Sequence, residues 1–277
     1  YFKAKRLLFS ERVKEDGVCV LNIDDAKYEE LKKACRARVV TYGQKEEADY
    51  RAMNVKINQD SIEFDLVYKG HIYPVKSNLV GEFNVYNLLA SMAACHETGS
   101  DLNRLIELAE TVPQIAGRME QIEEGQNFNV IVDFAHTPDG MEKMMEFGRS
   151  ITKNNRKLIA VFGSAGKRDK AKRKVFGKLA DQYCDVIYLT EDDPRDEDPK
   201  EIADEIRQGI KDAAVTFIPE RYEAIRQGIE AAREGDTVLI LGKGDEPYMY
   251  AATGRVPWKG DNKAAIECIH RILKDND

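Results

Sequence analysis

Four short stretches of the chain gather glycines and charges in patterns that suit ligand chemistry. VFGSAGKRDKAKR (161–173) places two glycines, then several cations, between an apolar run and a helical one. A P-loop needs Gly-Lys followed by Ser or Thr well beyond its first glycine, because that hydroxyl coordinates Mg²⁺. Here Gly163 and Gly166 stand too close together and Arg168 follows Lys167, so this is no P-loop. Backbone N–H groups at a helix N-terminus beside cations favour an anion, although a solvated connection would have the same composition. The other stretches are IVDFAHTPDG with Asp133 and His136, EDDPRDED (191–198) and GKGDEP (242–247). Together they offer the cations Lys167, Arg168, Lys170, Arg195 and Lys243 beside the carboxylates Asp192, Asp193 and Glu246. Such a mixture suits a zwitterionic ligand, or an anion with its counter-cation.

Each stretch follows a short apolar run: NVIVDFA, KLIAVFG, DVIYLTE and TVLILGKG. Amphipathic helical patterns separate these runs, which predicts a doubly wound, mostly parallel α/β sheet. In such a sheet ligands bind beyond the carboxyl ends of the strands, so all four stretches share one rim. The residues before about 115 read as mixed α/β. They give an opening helix (YFKAKRLLFS), a strand over 18–24, a helix over 24–37 and a hairpin turning at Lys69-Gly70. A helical run over 82–99 then stops at Gly99.

The composition restricts the function classes. The 277 residues suffice for two cores, and they are 43% hydrophobic and 33% charged. No apolar run approaches the ~18 residues of a membrane helix. A net charge of −7 argues against nonspecific nucleic-acid binding. Five scattered cysteines without a CxxC argue for a reducing cytoplasm and against disulfides or zinc. No secretory signal and no initiator Met are present, and the chain reads as a piece of a longer protein.

GRMEQI, IVDFAHTPDGMEKMM, VFGSAGKRDKAKR, TEDDPRDEDPKEIADEI and GKGDEPY occur in the order and approximate spacing of the Mur ligases. The chain resembles most nearly the MurE type, the UDP-N-acetylmuramoyl-tripeptide synthetases. YFKAKRLLFS looks like the family's lysine helix and GEFNVYNLLAS like its NxxN helix, so the resemblance covers nearly the whole chain. It implies that 1–117 is the last part of the mixed α/β central ATP-binding domain, without its P-loop. Residues 118–277 would be the Rossmann-like C-terminal domain that receives the incoming amino acid.

The resemblance also implies roles. Lys5 matches the lysine that is carbamylated to ligand Mg²⁺, and Arg118 the arginine that reaches the ATP phosphates. Asn84 and Asn87, one helical turn apart, match the pair that contacts the nucleotide. Asp133 matches the acceptor for the ribose hydroxyls, with His136 beside the same edge. Arg168, Asp192, Asp193, Pro194, Arg195, Gly242 and Glu246 match the amino-acid pocket, Gly242 allowing close backbone approach. The implied reaction uses ATP and Mg²⁺ to form an acyl phosphate on UDP-MurNAc-L-Ala-D-Glu, which a diamino acid's amine then attacks. A monomer acting without nucleic acid or membrane is expected, and this chain alone is expected to be inactive.

The pocket motif in diaminopimelate-adding members is DNPR, and here it reads Asp192-Asp193-Pro194-Arg195. Arg195 favours meso-diaminopimelate, whereas Asp193 in place of Asn favours lysine unless Arg195 or Arg168 neutralises it. Two other readings stay open: another Mur-like ligase of the folylpolyglutamate or cyanophycin synthetase type, and a noncatalytic amino-acid-binding module.

Overall fold

The computed structural model describes residues 2–58 and 60–275, so Tyr1 of the expected opening helix lies outside them. They divide into two compact units that part between Pro113 and Gln114, a few residues ahead of the expected 117/118 boundary.

In the first unit, α1 (Phe2–Leu7) runs into a π-helical turn over Leu8–Arg12. Neither segment buries a residue, and the apolar Leu7 and Leu8 stay exposed. β1 (Val18–Asn22) and α2 (Tyr28–Ala34) are both shorter than their sequence patterns suggest. The reason is local: the Asn22 side chain accepts from the Asp24 amide (2.8 Å) and Asp25 from the Lys27 amide (2.6 Å). Such Asx turns compete with both strand and helix. β2 (Arg38–Gly43), β3 (Tyr50–Ile57), β4 (Ile62–Tyr68) and β5 (His71–Ser77) complete a sheet ordered β1-β2-β3-β4-β5. Its first three strands are parallel and its last three antiparallel. Tyr68 pairs with His71, which leaves Lys69-Gly70 as the two-residue turn expected. α3 (Glu82–Glu97) packs on β1 to β4, and α4 (Leu102–Ala109) on α3 and β5. Between them lies a core that includes Tyr50, Ile62, Leu66, Val85, Leu89 and Met92.

The second unit begins with the two-residue strand β6 (Glu120–Gln121), followed by β7 (Asn129–Asp133). There follow α5 (Pro138–Ile151), β8 (Leu158–Phe162), α6 (Ala171–Tyr183), β9 (Val186–Leu189), α7 (Pro199–Arg207) and β10 (Ala214–Phe217). α8 (Arg221–Glu230), β11 (Thr237–Leu241), the hairpin β12 (Tyr248–Ala251) and β13 (Gly254–Pro257), and α9 (Asp261–Asp275) complete it. The sheet order is β10-β9-β8-β11-β7-β6, and β7 to β11 run parallel. β8 and β11 are wholly buried and β7 nearly so, which is why their sequences are unbroken apolar runs. Alternation along β11 assigns its two faces. Val238 and Ile240 join the α8 and α9 core, while Leu239 meets α5 at Gly148. Side-chain caps start three helices where the sequence placed them: Thr137 on α5, Asp198 on α7 and Glu220 on α8.

Candidate active site

The parallel register brings the carboxyl ends of β7, β8, β9 and β11 to one rim, as the sequence pattern predicted. At the end of β7 the Asp133 carboxylate is 8% exposed. Its two oxygens accept from the Met119 amide (2.8 Å) and the Ala135 amide (2.7 Å). Burial pushes its pKa up against the pull of these amides and of Arg118. The exposed Arg118 guanidinium lies 4.4 Å from the Phe134 ring centre, and His136 meets the same ring edge-on at 4.9 Å. Asp133, Arg118 and His136 are thus brought together around Phe134, which sequence reasoning passed over. An aromatic residue directly after a strand-end aspartate was the available signal.

The second cluster joins the ends of β8, β9 and β11. Three amides of the loop and helix start that follow β8 are already taken by acceptors within the chain. Gly166 N donates to Asp193 O (3.0 Å), Lys167 N to the Glu197 carboxylate and Ala171 N to Asp169 (2.9 Å). The glycines serve a different end. A Cβ on Gly166 would stand inside 3.0 Å of the Pro194 carbonyl, so the residue lets two loops touch through their backbones. Gly166→Ala is therefore expected to destabilise the second unit by about 2 kcal/mol, the usual cost of overpacking. Thermal unfolding checks this, and an unchanged melting temperature would mean that the loops separate freely.

Arg195 sits in the left-handed region at φ 55° and donates from Nη1 to Gly166 O (2.8 Å). Its guanidinium lies 5.3 Å from the Tyr250 ring centre. Asp193 is neutralised by neither Arg195 nor Arg168. Its Oδ1 accepts from Lys243 Nζ (2.9 Å) and from the Tyr250 amide (2.9 Å). Lys243 is 1% exposed and also bonds Glu246. Burial pulls the Lys243 pKa down, and its two carboxylate partners outweigh that and raise it. Lys243 was read only as one of several rim cations, yet it organises both carboxylates.

Asp192 and Pro194 are buried. Burial pushes the Asp192 carboxyl up, while Arg221 and Lys243 oppose it. Gly242 does allow a close approach, but what approaches is the Asp192 carboxylate, inside 3.0 Å of where a Cβ would stand at φ 118°. Arg168 is exposed. Lys172, on α6, donates to His136 O (2.9 Å) and so ties the β7 loop to the β8 loop.

In the first unit, Asn84 and Asn87 do not both face outward. Asn84 is 8% exposed, donates to Val80 O (2.8 Å) and accepts from Asn87 (2.9 Å). Asn87 alone of the two is exposed. Lys5 is exposed on α1. Among the described residues, no group of three or more His, Cys, Asp and Glu side chains could hold a metal ion. All five cysteines are free thiols. No described helix is long and apolar enough to cross a membrane.

A buried strand-end aspartate beside a cation-capped ring, and a second cluster of mixed charge, stand at the strand ends of an α/β domain of the doubly wound class, where ligands bind in such sheets. Comparison with known proteins makes this specific. The Mur ligase middle domain matches residues 1–95, and the Mur ligase, glutamate ligase domain matches residues 117–244. The chain belongs to the Mur ligase family.

A UDP-N-acetylmuramoyl-L-alanyl-D-glutamate–2,6-diaminopimelate ligase of Clostridium acetobutylicum is 39% identical over 90% of this chain and 51% of its own length. That of Chlamydia felis is 38% identical over 99% of this chain and 55% of its own length. The chain spans about half the length of the curated relatives it matches. A solved structure of a ligase with the same name is 32% identical, with a TM-score of 0.62 over 99% of this chain and 56% of that one. MurF ligase from Thermotoga maritima in complex with ADP is 17% identical, with a TM-score of 0.70 over 100% of this chain and 58% of that one. At that identity it shows the fold alone.

Proposed function

We propose that this chain is the amino-acid-adding part of an ATP-dependent amide ligase that joins meso-diaminopimelate to UDP-MurNAc-L-Ala-D-Glu in the cytoplasm. The observation that carries the choice of amino acid is the Lys243–Asp193 pair. It spends the extra negative charge that would have favoured lysine, whose cationic end then finds no free carboxylate at Asp193. Arg195 uses only Nη1 in hydrogen bonds to Gly166 O and Asp193 O among the described residues. The Nε and Nη2 edge of its fork is left for the distal carboxylate of the diamino acid, a bidentate match that an ammonium cannot make.

ATP supplies the phosphoryl group that activates the acceptor carboxylate. The chain's own residues fit the nucleotide. Asp133 retains lone pairs for ribose hydroxyls beyond the two amides it accepts, and Arg118, exposed over the Phe134 ring, is the cation offered to the phosphates. Asn87 is the member of the asparagine pair that can face the nucleotide. Arg168 and Glu246 line the amino-acid side, Glu246 being held by Lys243. Lys5, as its carbamate, is the ligand proposed for Mg²⁺.

A ligase that carries this chain is expected to release ADP on adding meso-diaminopimelate, with a higher kcat/KM than for lysine. Preference for lysine would overturn the choice of amino acid, and turnover with neither would overturn the ligase reading.

A further inference from the structure

Within the rim motifs lies an ionic cluster that the sequence reading gave no role, Arg173 with Glu197 and Glu205. Arg173, on α6, is 0% exposed although it carries a full charge. Its Nη1 bonds Glu197 and Glu205, each at 2.9 Å, and its Nη2 donates to Ala165 O (3.2 Å). The other oxygen of Glu197 accepts from the Lys167 amide. The two residues flanking Gly166 are thus both tied to the Arg173–Glu197 pair. Gly166 in turn donates its N–H to Asp193 O and accepts Arg195 Nη1 on its own carbonyl. A path of hydrogen bonds and loop backbone runs from Arg173 in the first turn of α6 to the Arg195 guanidinium.

We propose that Arg173, fixed by Glu197, is a positioning residue for Arg195, holding the Gly166 carbonyl so that the guanidinium faces the substrate's distal carboxylate. The proposal rests on the ligase reading above. Buried ion pairs are poor sources of net stability, because desolvation cancels most of the attraction, and their best use is to select one arrangement. Here the arrangement selected is that of a loop whose Gly166 carbonyl makes the shorter of the two backbone bonds to the Arg195 fork, 2.8 Å against 3.4 Å to Asp193 O. Glu197 is held firmly in its charged form. Arg173 first, and then the Lys167 amide, hold the Glu197 carboxyl down at about 2, and Lys170 Nζ adds a further contact at 3.1 Å. Glu205 differs in kind from Glu197: it bonds Arg173 and neighbours Lys170, and makes no hydrogen bond to the loop backbone.

The test compares Glu197→Gln, Glu205→Gln and Arg173→Lys in a ligase that carries this chain. Glu197→Gln and Arg173→Lys are expected to raise KM for meso-diaminopimelate about tenfold while KM for ATP and for the UDP-linked acceptor stay within about twofold. Their preference for meso-diaminopimelate over lysine should fall by about the same factor. Glu205→Gln is expected to lower the melting temperature with little change in that preference. Amide exchange gives a readout independent of turnover: in Glu197→Gln the Gly166 N–H should exchange about tenfold faster while Ala160 and Val161 in β8 do not change. Unchanged Gly166 exchange with unchanged preference would overturn the brace. So would a uniform rise of all three KM values, which marks a structural role only. A wild-type enzyme that turns over neither amino acid overturns the ligase reading, and with it the role given to Arg173.

Discussion

Arg221→Met is expected to destabilise the second unit by about 3–5 kcal/mol, the cost of leaving a buried charge without its partner. Arg221 is 0% exposed and grips Asp261 with two bonds, Nε to Oδ1 at 2.7 Å and Nη2 to Oδ2 at 2.6 Å. It also donates to Glu191 O (3.1 Å) and Leu241 O (3.0 Å), the carbonyls from which the β9 and β11 loops depart. Methionine matches the stem but leaves Asp261 buried, with the Trp258 indole (3.2 Å) as its remaining side-chain donor. Two carbonyls lose a charged donor as well. Urea unfolding measures the loss, and the double variant Arg221→Met with Asp261→Leu should recover part of it, because the orphaned carboxylate is then gone. A loss below about 1 kcal/mol in the single variant would show that water reaches Asp261 and that the pair is dispensable.

Arg195→Ala should strike specificity rather than stability. Truncating one partner of a desolvated, hydrogen-bonded charge pair costs about 2–4 kcal/mol, which lowers kcat/KM for meso-diaminopimelate about 30- to 1000-fold. Lysine, which has no distal carboxylate, should lose less than about threefold. Asp193→Asn should leave the preference in place, because the Asp193 charge is already spent on Lys243. Steady-state kinetics with both amino acids decide the matter. If Arg195→Ala leaves the ratio unchanged, the fork does not touch the side chain of the incoming amino acid.

The sequence made the second sheet legible because β7, β8 and β11 are covered on both faces and so carry unbroken apolar runs. β2, β3, β10, α4 and α9 were not read, and neither was the β12–β13 hairpin. In β3 the burial alternates only over its first half, β10 buries no residue, and the aromatic run over β12 mimics no clean period. At the rim, the glycines of GSAG were legible, but not that one of them admits another loop's backbone. That contact, with Pro194, depends on β8 and β9 being neighbours. The partner of Asp193 lies fifty residues away at Lys243, beyond the reach of any local pattern. Asn84 illustrates the opposite error. Helical spacing correctly put it one turn from Asn87, but its amide was needed to cap the Val80 carbonyl.

The position of β11 bears on how the chain acquires this rim. The last strand of the large sheet lies between β7 and β8, the two that come first in it after the short β6. Until residues 237–241 arrive, β7 and β8 have no common neighbour, and each presents an unpaired edge with largely apolar side chains. During synthesis the Asp133 cluster and the Arg195 pocket therefore stay apart until β11 is threaded between their strands, a non-local step that is slow to reach. A ribosome stalled before residue 237 would hold a sticky intermediate, and chaperone protection is needed most in that interval.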